Sequence, residues 1–156
     1  MRCIVPLLAA LGLALAGCGD SSKDGGGGAT APAGSATLST MHVIGYGTAL
    51  ATKGRPVYML SSDTPGGSKC TGGCASTWPP LTANGKPTAG PGVDGSLLST
   101  FKRPDGKTQV LYDKHALYTH TGRGLLSGVG VKSEGGVWYL IDSSGKPFKK
   151  TKSGGY

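Results

Sequence analysis

The sequence predicts an all-β domain of two tandem repeats, about four short strands in each, packed as a pseudo-twofold sandwich or a small barrel. Three observations carry this. From Leu38 onward the chain repeats itself at a spacing of 60 residues. Turn dipeptides recur at matching places between short apolar runs. No segment after residue 40 sustains a helical period.

Leu38-Ser39-Thr40 returns as Leu98-Ser99-Thr100, Thr48 as Thr108, Tyr58 as Tyr118 and Trp78 as Trp138. Gly85-Lys86-Pro87 returns as Gly145-Lys146-Pro147, and apolar positions keep the offset: Leu50 with Val110, Val57 with Leu117, Leu81 with Ile141. Both tryptophans of the chain fall in register, which chance in a glycine-rich sequence does not supply. The repeats run over 38–97 and 98–156. In the first, residues 50–52 and 56–60 flank a turn at Lys53-Gly54. In the second, residues 109–112 and 116–120 flank Asp113-Lys114, so each pair reads as a hairpin. Residues 77–82 and 137–142 read as strands running into Asn84-Gly85 and Ser144-Gly145. Pro104-Asp105-Gly106 marks a tight turn between the units. Two units are too few for a propeller, which leaves a sandwich or a barrel.

Ahead of the repeats, Arg2 precedes an apolar run over residues 4–16 that ends in Leu15-Ala16-Gly17-Cys18. The run is too short to span a bilayer as a helix and fits the apolar core of a signal peptide. Ala16 and Gly17 let a peptidase close on the backbone before Cys18, whose thiol forms the thioether to diacylglycerol. The segment closely resembles a bacterial lipoprotein signal. Residues 1–17 are therefore expected to be a leader and Cys18 the lipid attachment. Residues 18–37 are the lipidated cysteine and a disordered Gly/Ser/Ala tether. As a flexible coil of about 19 residues it reaches roughly 25 Å. The expected place is the cell envelope, on its periplasmic or extracellular side, with the membrane as partner through the lipid.

The formal charge of +8 implies a second, weaker attraction to anionic headgroups or anionic envelope polymers. Lys146, Lys149, Lys150 and Lys152 are the densest basic cluster, and a solvated tail accounts for them. Another envelope protein is the other partner class, and export argues against nucleic acid. Cys3 leaves with the leader and Cys18 carries lipid, so Cys70 and Cys74 remain. An oxidising compartment favours a disulfide between them. The alternative is a redox-active or metal-holding thiol pair. Redox enzymes carry Cys-x-x-Cys at a helix start, and neither condition is met.

His42, His115 and His120, with Met41 and Met59, offer ligands for copper or haem. The odd spacing of His115 and His120 puts them on opposite faces of a continuous strand. His120 shares a face with Tyr118, where a packing pair is the ordinary arrangement. His115 and His120 stay as metal candidates, and no cofactor is expected. No nucleophile stands with a base in a local pattern. The carboxylates Asp63, Asp94, Asp105, Asp113, Glu134 and Asp142 all lie beside turn residues or at strand ends, so nothing marks a hydrolase.

Tyr58 with Asp63 five residues on, then Cys70-Thr-Gly-Gly-Cys74 and Trp78-Pro79-Pro80-Leu81, resemble a bacterial family of secreted-repeat lipoproteins. So do Arg103-Pro-Asp105-Gly106, Gln109, Tyr112 and Leu117-Tyr118. The family is marked by Tyr-x-aromatic-x-x-Asp in each repeat, and its biochemical function is undefined. The likeness extends over nearly all of residues 41–145. Leu60 stands where the first repeat would carry an aromatic residue. In the second, His120 holds the aromatic place and Arg123 stands where aspartate is expected. The resemblance implies export and a duplicated domain, and supplies no substrate. Tyr58, Trp78, Tyr118 and Trp138 are expected to build the core around the pseudo-twofold axis. Asp63 is expected to cap the turn at Thr64-Pro65-Gly66-Gly67. Two function classes follow: a lipid-anchored binding or structural module, and a thiol-redox or metal-handling envelope lipoprotein.

Overall fold

A computed structural model describes residues 35–149. The leader, Cys18, residues 19–34, Lys150 and Lys152 lie outside them. Among the described residues ten short strands form three small sheets and no closed barrel. β1 (Thr37–Val43), β2 (Gly47–Thr52), β3 (Arg55–Pro56) and β5 (Thr88–Ala89) make one sheet, in the order β3-β2-β1-β5. β6 (Leu98–Lys102), β7 (Thr108–Tyr112) and β8 (His115–Ala116) make the second in chain order. β4 (Tyr58–Leu60), β10 (Gly136–Leu140) and β9 (Lys132–Ser133) make the third, with β10 at its centre.

The hairpins form where the turn chemistry asks for them. β2 and β3 meet through Lys53 and Gly54, both at positive φ (50° and 72°). β7 and β8 meet through Asp113 and Lys114 (46° and 66°). Two positive φ values in a two-residue loop match the right-handed twist of the flanking strands. The expected strands over 56–60 and 116–120 each break after two residues. Val57 donates to Leu50 and Leu117 to Val110, and the chain then leaves its own sheet. Pro104-Asp105-Gly106 lies inside the second half, joining β6 to β7, rather than between the units.

Past these breaks the two halves grip each other through equivalent residues. Tyr58 N–H donates to the Tyr118 carbonyl and Tyr118 N–H to the Tyr58 carbonyl, both at 2.9 Å. Leu50 N–H donates to the Ile141 carbonyl, and sixty residues on Val110 N–H donates to the Leu81 carbonyl, both at 2.8 Å. Trp78 stacks on Trp138 with ring centroids 3.8 Å apart and planes within 4°. Tyr58 meets Trp78 edge-on at 5.4 Å, and Tyr118 meets Trp138 edge-on at 5.0 Å. A residue that pairs with its own copy is the signature of a local twofold axis.

The cross-strand that follows differs between the halves. β10 pairs with β4 over three residues, Trp138 with Leu60, Tyr139 with Met59 and Leu140 with Tyr58. At the matching place the first half makes one bridge, Pro80 with Tyr118. Pro79 and Pro80 bring no N–H to a ladder. The strand expected over 77–82 is therefore absent: a helix of five residues, α1 (Gly73–Thr77), is followed by isolated bridges at Pro80 and Thr82. At the other boundary, residues 35–37 belong to the domain. Ser35 Oγ bonds the Lys86 carbonyl, Thr88 N–H bonds the Ala36 carbonyl, and β1 starts at Thr37.

Gly128 lies against the stack, where a Cβ would meet Trp78 Cη2 at 2.5 Å and Tyr58 Cε1 at 3.1 Å. Gly128→Ala is expected to lower stability by about 1–3 kcal/mol through overpacking. Urea unfolding with tryptophan fluorescence checks this, and an unchanged midpoint would mean that the stack has room to shift.

Candidate functional site

The motif residues gather at the twofold axis. The hydroxyl groups of the two motif tyrosines meet different surroundings.

At one end, Tyr118 donates to Asp63 Oδ2 at 2.6 Å and lies 2.6 Å from Ser68 Oγ. Asp63 Oδ1 accepts the Lys69 N–H at 2.7 Å. Asp63 thus closes the loop 63–69 and ties it to the other half. The turn it was expected to cap is held instead by Gly67 N–H on the Thr64 carbonyl. Burial raises the Asp63 carboxyl above its ordinary pKa, against the lowering from Lys69 and Tyr118. Burial and the neighbouring carboxylate raise the Tyr118 phenol.

Behind this pair lies Arg103, only 4% exposed. Its Nη1 donates to Gln109 Oε1 at 2.6 Å and to Ser68 Oγ at 3.0 Å, its Nη2 to the Cys70 carbonyl at 2.8 Å, and its Nε to Asp105 Oδ2 at 3.3 Å. Gln109 in turn donates to the Leu117 carbonyl at 2.8 Å. A buried guanidinium is tolerable only with its donors so occupied. Sixty residues earlier the same positions are Val43 and Ala49, both buried. A polar residue standing where its repeat partner is apolar was the available signal for Arg103 and Gln109. Both are among the residues that carry the family resemblance, which assigns neither a role.

Cys70 and Cys74 form a disulfide with Cα atoms 5.2 Å apart. Both are buried, and the bond lies beneath the loop that Arg103 holds. Cys74 is the second residue of α1, so the expectation that the pair avoids a helix start is corrected, although the helix is a single turn. The Cys74 carbonyl accepts the Trp78 N–H at 2.8 Å. The closed loop therefore fixes the ring that stacks at the axis.

At the other end, Tyr58 donates to the Leu125 carbonyl at 2.8 Å. A backbone oxygen here replaces the carboxylate that Arg123 leaves out. His120 lies tilted on Trp78, with centroids 4.3 Å apart, and edge-on to Tyr58 at 6.2 Å. Its packing partners are thus Tyr58 and Trp78 rather than Tyr118. Nδ1 is 2.9 Å from Ser127 Oγ, and Gly122 N–H bonds it at 3.3 Å. Burial, then the charge of Arg55, lowers the His120 pKa. His115 stands apart in β8, opposite Tyr112, and His42 is exposed. Among the described residues no three His, Cys, Asp or Glu side chains group as metal ligands.

Residues 46–82 match the family model described as a secreted repeat of unknown function. The matched stretch holds Tyr58, Asp63, the disulfide and Trp78, the first-repeat residues that carry the resemblance to secreted-repeat lipoproteins. No curated protein and no solved structure matches the chain. Similarity to a secreted repeat agrees with an extracytoplasmic module. Among the described residues no helix is long and apolar enough to cross a membrane.

Two expectations follow from the unequal ends of the repeat. Tyr118→Phe removes a donor from a half-buried carboxylate and should cost about 1–3 kcal/mol, whereas Tyr58→Phe leaves only a carbonyl and should cost about 0.5–1.5 kcal/mol. Equal losses in chemical unfolding would mean that the two ends are energetically alike. The second expectation concerns pH. The Asp63 pKa is raised on folding, so its contribution is complete below its ordinary value of 3.8 and is lost as pH rises through the folded value. Relative to Asp63→Asn, the wild-type chain should therefore lose stability between acid and neutral pH. A pH-independent difference between the two unfolding curves would contradict it.

Proposed function

We propose that the chain is a lipid-anchored binding or structural module of the bacterial cell envelope, held by Cys18 and displayed on the tether that follows it. One observation carries the reading for the domain. The repeated tyrosines and tryptophans, Asp63 and the disulfide are engaged within the domain: Trp78 on Trp138, Tyr118 with Asp63 and Tyr58 with the Leu125 carbonyl join the halves, and Cys70 bonds Cys74. Side chains used in this way build a scaffold that presents its surface. The leader pattern at Leu15-Ala16-Gly17-Cys18 supplies the anchor in this reading, and the match to a secreted repeat agrees with export. The partners that fit are the membrane through the lipid, and anionic envelope polymers or another envelope protein through the basic surface.

Expression in a bacterium fed a labelled fatty acid tests the anchor. The wild-type chain should carry label and fractionate with membranes, and Cys18→Ala should carry none. Label retained by Cys18→Ala would end the lipoprotein reading. Alkylation of the same purified chain tests the domain. It should show no reactive thiol before reduction and two afterwards. Two thiols before reduction, or stoichiometric copper, zinc or iron, would move the chain to the redox or metal-handling class.

A further inference from the structure

The geometry points to a second contact with the membrane: an apolar, cation-flanked patch at the Tyr58 end of the domain that rests on anionic lipid. This inference depends on the lipid-anchored reading above. The patch is built by two loops. The turn between β1 and β2 carries Ile44, 87% exposed, next to Gly45 at φ 82°. The loop over 121–131 carries Leu125, 49% exposed. Between them lies a cleft of about 210 Å³ lined by Met41, Val43, Pro56, Leu125 and Leu126, with His42 and Ile44 at its edge.

Both loops are fastened from within. Tyr46 N–H bonds the Val43 carbonyl, and Phe148 packs edge-on against Tyr46 at 6.1 Å. The Leu125 carbonyl receives the Tyr58 hydroxyl, and Arg55 Nη2 bonds the Gly122 carbonyl at 2.7 Å. The aliphatic side chains are thereby held outward on an ordered backbone, and exposed aliphatic groups of this kind mark an interaction surface.

Charge selects the occupant. Neither the turn over 44–46 nor the loop over 121–131 contains an Asp or Glu. The loop over 121–131 carries Arg123, and Arg55 is bonded to it through the Gly122 carbonyl. Phe148 brings the chain leading to Lys149 beside the same turn. Aliphatic groups entering the interface while cations meet phosphate is the arrangement that binds anionic bilayers. A second copy of the chain would bring the same cations and repel. Reach permits the contact. β1 carries the chain roughly 20 Å from its tethered start to Ile44, at ~3.3 Å per residue. Residues 19–34 allow that reach, since a chain can span up to ~3.3–3.6 Å per residue.

The test places an environment-sensitive fluorophore at Ile44→Cys in the mature lipidated chain, reconstituted in vesicles and isolated by flotation. A label at Asn84→Cys, in an exposed turn near the start of β1, is the control. In vesicles containing phosphatidylglycerol the label at 44 should shift to the blue, gain intensity several-fold and be quenched by spin-labelled acyl chains. The label at 84 should do none of these. Arg123→Glu with Lys149→Glu should abolish the shift while the chain still floats. An aqueous spectrum at 44 on a chain that floats would overturn the patch and leave the anchor standing. A chain that does not float would remove the anchor, and this inference with it. A shift that grows with protein-to-lipid ratio and ignores lipid charge would assign the patch to a second copy and overturn it.

Discussion

The contact on which the rest of the structure depends is the meeting of equivalent residues at the twofold axis. Trp78 lies flat on Trp138, and Tyr58 exchanges backbone hydrogen bonds with Tyr118. Stacked and edge-on aromatic pairs add about 0.5–1.5 kcal/mol each beyond the area they bury. Their larger effect here is on assembly. Each half leaves its own sheet just before the axis, and its next backbone partners belong to the other half. Leu50 is satisfied by Ile141, Val110 by Leu81 and Leu60 by Trp138. A half on its own would expose these buried polar groups together with both aromatic faces, so the halves must complete one another. A chain this poor in apolar bulk builds two core clusters, each completed by residues of both halves.

Around that axis the halves have diverged in matched pairs of positions. Arg103 stands for Val43, Gln109 for Ala49, Arg123 for Asp63 and Gly130 for Cys70. The first two substitutions and the retained Asp63 give the Tyr118 end a buried polar network, and Cys70 with Cys74 gives it a closed disulfide loop. The third leaves the Tyr58 hydroxyl to a backbone carbonyl and the loop over 121–131 to carry aliphatic residues outward. One end is sealed and polar, the other open and apolar. A frame with two equivalent ends thus acquires one face fit for outside contact.

The hairpins were legible because their turn chemistry is local. Lys53-Gly54 and Asp113-Lys114 sit between apolar runs, and both adopt the positive φ that a two-residue loop needs. The aromatic core was legible because rare residues kept the offset of the repeat. What the sequence concealed was the exchange between halves. A strand that breaks at Val57 or Leu117 carries no marker, since the side chains stay buried through the break while the backbone changes partners. Pro79-Pro80 did carry the information that 77–82 is no ladder, because neither residue brings an N–H. The partner of Asp63 was hidden for another reason. It comes from fifty-five residues away, and no local pattern distinguishes a carboxylate that caps its own turn from one that receives a distant phenol.

The disulfide shows how local chemistry serves this long-range design. Closing a loop of five residues removes little entropy from the unfolded chain, and so contributes less than a bridge between distant segments. Its position gives it a larger part than that. Cys70 presents its carbonyl to Arg103, while Cys74 accepts the N–H of Trp78. The bond therefore links a buried cation contributed by the second half to a ring contributed by the first. Asp63, Ser68 and Cys70 come from one half, and Arg103, Gln109 and Tyr118 from the other. Every hydrogen bond among them that joins the two groups also closes the interface. A buried guanidinium without its acceptors would cost several kcal/mol, so this network specifies the pairing of the halves as well as strengthening it. Apolar contact draws the halves together at the stack, and the polar cluster at one end fixes the register in which they meet.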